Sequence, residues 1–168
     1  MFFLTAAALA APAPGTFELS DPTLEGRMEA SLERTLASMN FAIRLVARPG
    51  LEAVLEPCAV YELDFAAESF IVRCDARPLV VAPLDGTPSP STGSNGKTYT
   101  VSASQSGDEV VLNFTGDNGS QITRYRFADE ALTVTREISS EHLSEPLICD
   151  YRYRAATPSG GAGDEPAR

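Results

Sequence analysis

Between Gly96 and Arg154 the sequence alternates apolar and polar residues in short runs broken by Gly, Asp and Asn. No other feature constrains the fold as much. In Lys97–Gln105, Tyr99, Val101 and Ala103 fall on one face. After Ser106-Gly107-Asp108, the next run places Val110, Leu112 and Phe114 together. Gly116–Gly119 is a second turn, and Ile122–Phe127, Ala131–Ile138 and Leu147–Arg154 follow. Period-two segments spaced about 8–12 residues apart, with turn residues between them, predict an antiparallel meander that forms a barrel or sandwich.

The upstream half supplies the rest of such a domain. Asp21-Pro22 is a helix start, and Leu24, Met28, Leu32, Leu36, Ile43 and Val46 recur at three- and four-residue steps. This predicts one long helix over 21–48, stopped by Pro49-Gly50 and packed on the sheet or across one barrel mouth. Strands are expected over 57–154, beginning with a hairpin whose arms run from Cys58 to Phe65 and from Glu68 to Cys74. A third strand follows at Pro78–Ala82, and Pro83 to Asn95 reads as a Pro/Gly/Ser-rich loop. The fold class is therefore mainly β: an antiparallel up-and-down barrel of about eight strands with one N-terminal helix.

Three segments are assigned by composition: a leader over 1–19, one domain over 20–154, and a disordered tail over 155–168. The opening apolar run, with Ala8-Leu9-Ala10 and Ala11-Pro12-Ala13 as small-x-small sites, reads as a signal peptide although a basic n-region is missing. It directs the protein to the periplasm or the outside of the cell. At about ten residues the run is too short to span a bilayer. The net charge of −10 argues against a nucleic-acid partner and against docking on an anionic membrane.

Three cysteines accompany a single histidine, His142. Cys58 and Cys74 flank the first hairpin, where opposite positions would allow a cross-strand disulfide. Cys58–Cys149 across the barrel closure is a competitor, and three reduced thiols are a third state that spacing leaves open. No cysteine spacing matches a metal signature, no Gly-rich phosphate loop is present, and His142 lies in a polar connection, so no cofactor and no catalytic centre is called for. The residues that invite a ligand are aromatic and basic. Tyr61, Tyr99, Tyr125, Tyr151 and Tyr153 occupy apolar strand faces, where phenolic hydroxyls can orient a small molecule with a polar end. Arg124 and Arg152 lie on the opposite faces; a local bulge would turn either inward, to pair with a carboxylate. The competing arrangement has aromatics filling the core and arginines outside, paired with Glu137 or Asp150.

The late meander and the segment Glu137-Ile-Ser-Ser-Glu-His-Leu-Ser-Glu-Pro-Leu-Ile-Cys-Asp-Tyr-Arg-Tyr-Arg154 resemble the end of bacterial exported lipocalin-like proteins of the calycin type, and the helix end Met39–Arg48 and Pro83–Pro88 resemble uncharacterised exported members of that group. The resemblance runs from Leu24 to Arg154 and implies a lipocalin-like barrel with room for a ligand. Lipocalins proper carry a Gly-x-Trp that this tryptophan-free chain lacks. Fatty-acid-binding proteins carry Arg-x-Tyr on the last strand, where this chain has Tyr151-x-Tyr153 and Arg152-x-Arg154. The expected function is binding of a small hydrophobic or amphipathic molecule inside the barrel. The alternative is a structural or protein-interaction barrel with a filled core.

Overall fold

The computed structural model describes residues 12–157. They form ten strands and two helices. β1 (Gly15–Leu19) comes first, followed by α1 (Leu24–Ala37) and α2 (Phe41–Leu55). The meander then continues through β2 (Val60–Ala66), β3 (Ser69–Cys74), β4 (Val80–Pro83), β5 (Ser89–Thr92) and β6 (Thr98–Ser106). It ends with β7 (Glu109–Gly116), β8 (Gly119–Ala128), β9 (Ala131–Ser140) and β10 (Leu147–Ala155). All pairings are antiparallel, in the order β4-β3-β2-β1-β10-β9-β8-β7-β6-β5. The two sheet edges approach each other where Ser89 Oγ donates to Val81 O (3.2 Å) and Asp85 bridges Ser104, so the sheet is a nearly closed barrel.

Alternation decides what lies inside. Tyr61 and Leu63, Phe70 and Val72, Val101 and Ala103, Val110 and Leu112, Tyr125 and Phe127, and Tyr151 and Tyr153 are all buried, while the residues between them lie on the outward face. Truncating one fully buried side chain, such as Phe70→Ala, would cost about 3–5 kcal/mol. The mainly β barrel is thus observed, with ten strands where about eight were expected. The extra ones are short: β1 lies in the stretch assigned to the leader, and β5 lies in the stretch read as a loop.

Three segment boundaries need correction. The leader cannot extend to residue 19, because Gly15–Leu19 pairs with both β2 and β10. The tail cannot begin at 155, because Ala155 ends β10 and the Ala156 amide donates to Thr16 O at 2.8 Å. The remainder of the expected tail, and the leader residues before Pro12, lie outside the described residues. The single helix over 21–48 is in fact two helices. Asn40 caps α2, its side chain accepting from the Ile43 amide at 3.0 Å, which favours a new helix start over continuation. Pro49 lies within α2 rather than ending it. Leu45, whose carbonyl would have received the missing N–H, is on the exposed face, where water can satisfy it.

The predicted apolar stripe divides at this break. Leu24, Leu32 and Leu36 of α1 are buried against the barrel, and Ser31 Oγ donates to Ile148 O on β10 at 2.5 Å. Arg27 joins Asp150 O (2.6 Å) to Asp21 (2.5 Å), tying the start of α1 to the same strand. α2 rests on α1, with Arg48 reaching Glu33, Glu29 and Glu52. Ile43 and Val46, expected in the stripe, are 50% and 83% exposed. No helix among the described residues is long and apolar enough to cross a membrane.

Candidate functional site

Strand parity carries one charged side chain into the barrel. On β9, Leu132, Val134, Arg136 and Ile138 share a face, so Arg136 follows two core residues inward and is only 5% exposed. Register places it opposite Thr123 of β8 and Cys149 of β10. Its Nη1 donates to Glu56 O (2.9 Å) and Val54 O (3.4 Å), and its Nη2 donates to Tyr61 Oη (3.0 Å) and Cys58 Sγ (3.4 Å). The guanidinium also lies 5.0 Å from the Tyr151 ring centroid. None of these partners is a carboxylate, so a full positive charge is held by carbonyl, phenol, sulfur and aromatic face alone. Burial opposes that charge, but the surrounding Tyr61, Tyr151 and Tyr125 oxygens favour it more strongly, and the guanidinium stays protonated.

Four of the five tyrosines surround this arginine. Tyr61 packs edge-on to Tyr125 (5.7 Å) and Tyr153 (5.0 Å), and Tyr125 packs on Phe70 (5.2 Å). Tyr151 Oη donates to Leu55 O at 2.7 Å. The Tyr153 hydroxyl is buried with no hydrogen-bond partner among the described residues, a state that is rare and costly for a phenol. Burial pushes the Tyr125, Tyr151 and Tyr153 hydroxyls up from the ordinary phenol range, so at neutral pH all three are neutral donors.

The other expected site residues lie elsewhere. Tyr99 is half-buried near the β5–β7 end, its ring so close to Gly93 and Gly116 that a Cβ there would come within 2.6 and 2.9 Å of it. Asn95 Nδ2 donates to its hydroxyl at 2.7 Å. Arg124 points outward and pairs with Glu137 at 3.1 Å. Arg152 is also outside, lining an open depression of about 430 Å³ with Ser20, Asp129, Glu130 and Arg154. Neither β8 nor β10 carries the bulge that would turn these arginines inward; their pairings run without interruption. A second depression, about 220 Å³, lies between α1 and the start of β10. Both are external, and the interior is occupied by the aromatic cluster.

Cys58 and Cys74 form a disulfide with Cα atoms 5.4 Å apart, leaving Cys149 free and buried. Cys58 sits before β2 begins, so the alternation that would have placed it with Glu62 does not reach it. The Asp75 carboxylate accepts from the Ala59 and Val60 amides at 2.9 and 2.8 Å and fixes that approach. Asp75 lies near both sulfurs, but the thiols are consumed in the bond and a guanidinium touches Cys58, so this group does not suit a cation. Burial raises the Cys149 thiol pKa, which makes it a poor nucleophile.

The fold is a ten-stranded, nearly closed antiparallel barrel with a helix pair between its first two strands, and it resembles that of solved fatty-acid-binding proteins. The chain is similar to a fatty acid binding protein of Schistosoma mansoni solved with arachidonic acid, at 8% identity and a TM-score of 0.54, covering 90% of this chain and 100% of that one. A secretory abundant heat soluble protein of Ramazzottius varieornatus aligns at 10% identity and a TM-score of 0.56, over 89% and 100% of the two chains. Human cRBP IV aligns at 16% and 0.51, over 88% and 100%. At such identities the likeness is one of fold. No protein-family model matches the sequence, and a search of curated proteins finds no match.

Proposed function

We propose that this protein binds a small amphipathic molecule, an apolar body with an anionic head, inside its barrel. The observation that carries this reading is Arg136, a buried guanidinium with no carboxylate partner. Breaking or omitting the partner of a buried charge ordinarily costs about 3–5 kcal/mol, and an anionic head would supply the missing counter-charge. The unpartnered Tyr153 hydroxyl beside Tyr61 offers the same head a neutral donor, and Tyr125, Phe70 and Phe127 offer its body an aromatic wall. Binding requires these rings to move apart, as the interior is filled without a ligand. The similar barrels whose names denote fatty-acid binding agree with this ligand class. The same reading takes the protein to be exported to the periplasm or secreted, where a disulfide such as Cys58–Cys74 persists.

Native mass spectrometry of the mature protein from its own host, with organic extraction, tests this directly. A stoichiometric acidic lipid adduct is expected, lost in Arg136→Met. A clean unliganded mass, with no thermal shift against fatty acids, sterols and isoprenoids, would overturn the proposal. It would favour a second reading, a protein-interaction barrel with a filled core. That reading is supported by α2, whose outward residues Phe41, Leu45 and Val46 are 76%, 65% and 83% exposed.

A further inference from the structure

The C-terminus of α2 lacks the usual means of closing a helix. Its cap residue, Glu56, is neither Gly nor in the left-handed region, and no basic side chain lies in the last turn. The final carbonyls, which carry the negative end of the helix dipole, are therefore orphans as far as the local sequence is concerned. Two barrel side chains distant in sequence take them instead. Arg136 of β9 holds Val54 O and Glu56 O, and Tyr151 of β10 holds Leu55 O. Leu55 itself is 1% exposed, pressed in beside them. Arg77 adds longer bonds to Glu56 O (3.3 Å) and Pro57 O (3.5 Å), so the shortest hydrogen bonds that close this helix end are those of Arg136 and Tyr151.

We infer that Arg136 and Tyr151 form a latch: they hold the end of α2 on the barrel when the interior is empty, and an anionic ligand head releases it by taking the same donors. This rests on the ligand reading above and adds its regulation. A carboxylate is the stronger partner for a guanidinium, because its bonds are charge-assisted and can be bidentate, whereas the two helix carbonyls are neutral. The exchange trades neutral acceptors for a counter-charge, so an anionic head wins the guanidinium from the helix end. A neutral ligand of the same apolar body makes no such competition. The moving part is bounded on both sides. Arg44 fastens the start of α2 to the α1 terminus through Met39 O (2.7 Å) and Ala37 O (2.9 Å), and Cys58 is tied to β3 by its disulfide. Release therefore loosens the last turn of α2 and draws Leu55 out of the mouth, while Arg77 keeps its hold on Glu56 and Pro57 and the barrel and α1 stay in place.

The test is hydrogen–deuterium exchange on the full chain with three samples: unliganded, with dodecanoate, and with dodecanol, ligand occupancy being read in parallel by native mass spectrometry. Dodecanoate is expected to speed exchange of the amides from Glu52 to Ala59 about tenfold, the equivalent of one lost hydrogen bond, and dodecanol to leave them unchanged or slower. In Tyr151→Phe, which keeps Arg136, the same amides should exchange faster before ligand is added, and dodecanoate should add less acceleration than in the parent because part of the latch is already open. A dodecanoate adduct with unchanged or slowed exchange would overturn the latch and leave the ligand reading standing. Absence of an adduct with either compound would remove both. Equal acceleration by both compounds would also overturn the latch, since the anionic head would then play no part.

Discussion

Replacing Arg136 by methionine tests whether its charge is matched within the empty barrel. Methionine preserves most of the apolar stem and removes the donors. Val54 O then loses its partner and Glu56 O keeps only the longer bond from Arg77 (3.3 Å), at about 1–3 kcal/mol each for these part-buried groups, and the contact over the Tyr151 ring is lost for about 1 kcal/mol more. Against this, the variant no longer strips a guanidinium of water, which returns several kcal/mol. The balance is a loss of about 2–4 kcal/mol, since removing one member of a satisfied buried polar group is destabilising even when the charge itself was expensive. For a chain of this size each kcal/mol moves the midpoint by about 2–4 °C, so a fall of about 5–15 °C is expected in thermal unfolding followed by circular dichroism. An unchanged or raised midpoint would refute the reasoning. It would mean that the helix carbonyls do not compensate the charge, and that Arg136 is a pure cost until a ligand arrives.

Further outcomes follow from other features. Cys58→Ser with Cys74→Ser opens a loop of sequence separation 16 and should cost about 3 kcal/mol by loop entropy; an equal midpoint with and without reductant in the parent protein would contradict the bridge. The hydrogen bond from Arg27 holds the Asp21 carboxyl below the ordinary value of 3.8, so Asp21 contributes stability above that pH and loses it as pH falls through its lowered folded value. Asp21→Asn should therefore be less stable than the parent at pH 6, with the gap closing below pH 3.8; a gap independent of pH would exclude the ion pair. The β2–β3 turn places Ala67 and Glu68 at φ +47° and +61°, where side chains are strained. Asn-Gly at these positions suits the turn and should raise stability by about 1 kcal/mol in urea unfolding; a decrease would show that the turn is held by something other than backbone preference.

Much of the barrel could be read from alternation because a strand's two faces repeat without drift. The inward set Val101, Val110, Leu112, Tyr125, Phe127, Tyr151 and Tyr153 follows directly from it. The same rule kept Arg124 and Arg152 outside once no bulge intervened. It also contained the signal that was overlooked: Arg136 has the parity of Leu132 and Val134, but a charged residue late in a strand reads as an outward one. What compensates it, the open end of α2, is eighty residues away and has no sequence mark. The helix break was hidden for a related reason. Ile43 and Val46 continue the three- and four-residue spacing, yet the Asn40 cap rotates them away from the core. Cys58 defied its strand's parity because it precedes the strand. β1 is five residues long, too short for its alternation to stand out beside the apolar run that precedes it.

β1 deserves a last consequence, in the order in which the chain is made. It sits between β2 and β10, so one of its edges is filled by the hairpin that follows the helices and the other only by the final strand. As the chain emerges from the ribosome, β2–β4 and β5–β10 can each pair neighbour to neighbour, but the two halves are not joined in one sheet until Ala155 meets Phe17. Contacts this distant are slow to form, and until they do the β10 edge and the aromatic interior stay accessible. The strand that completes the barrel arrives last.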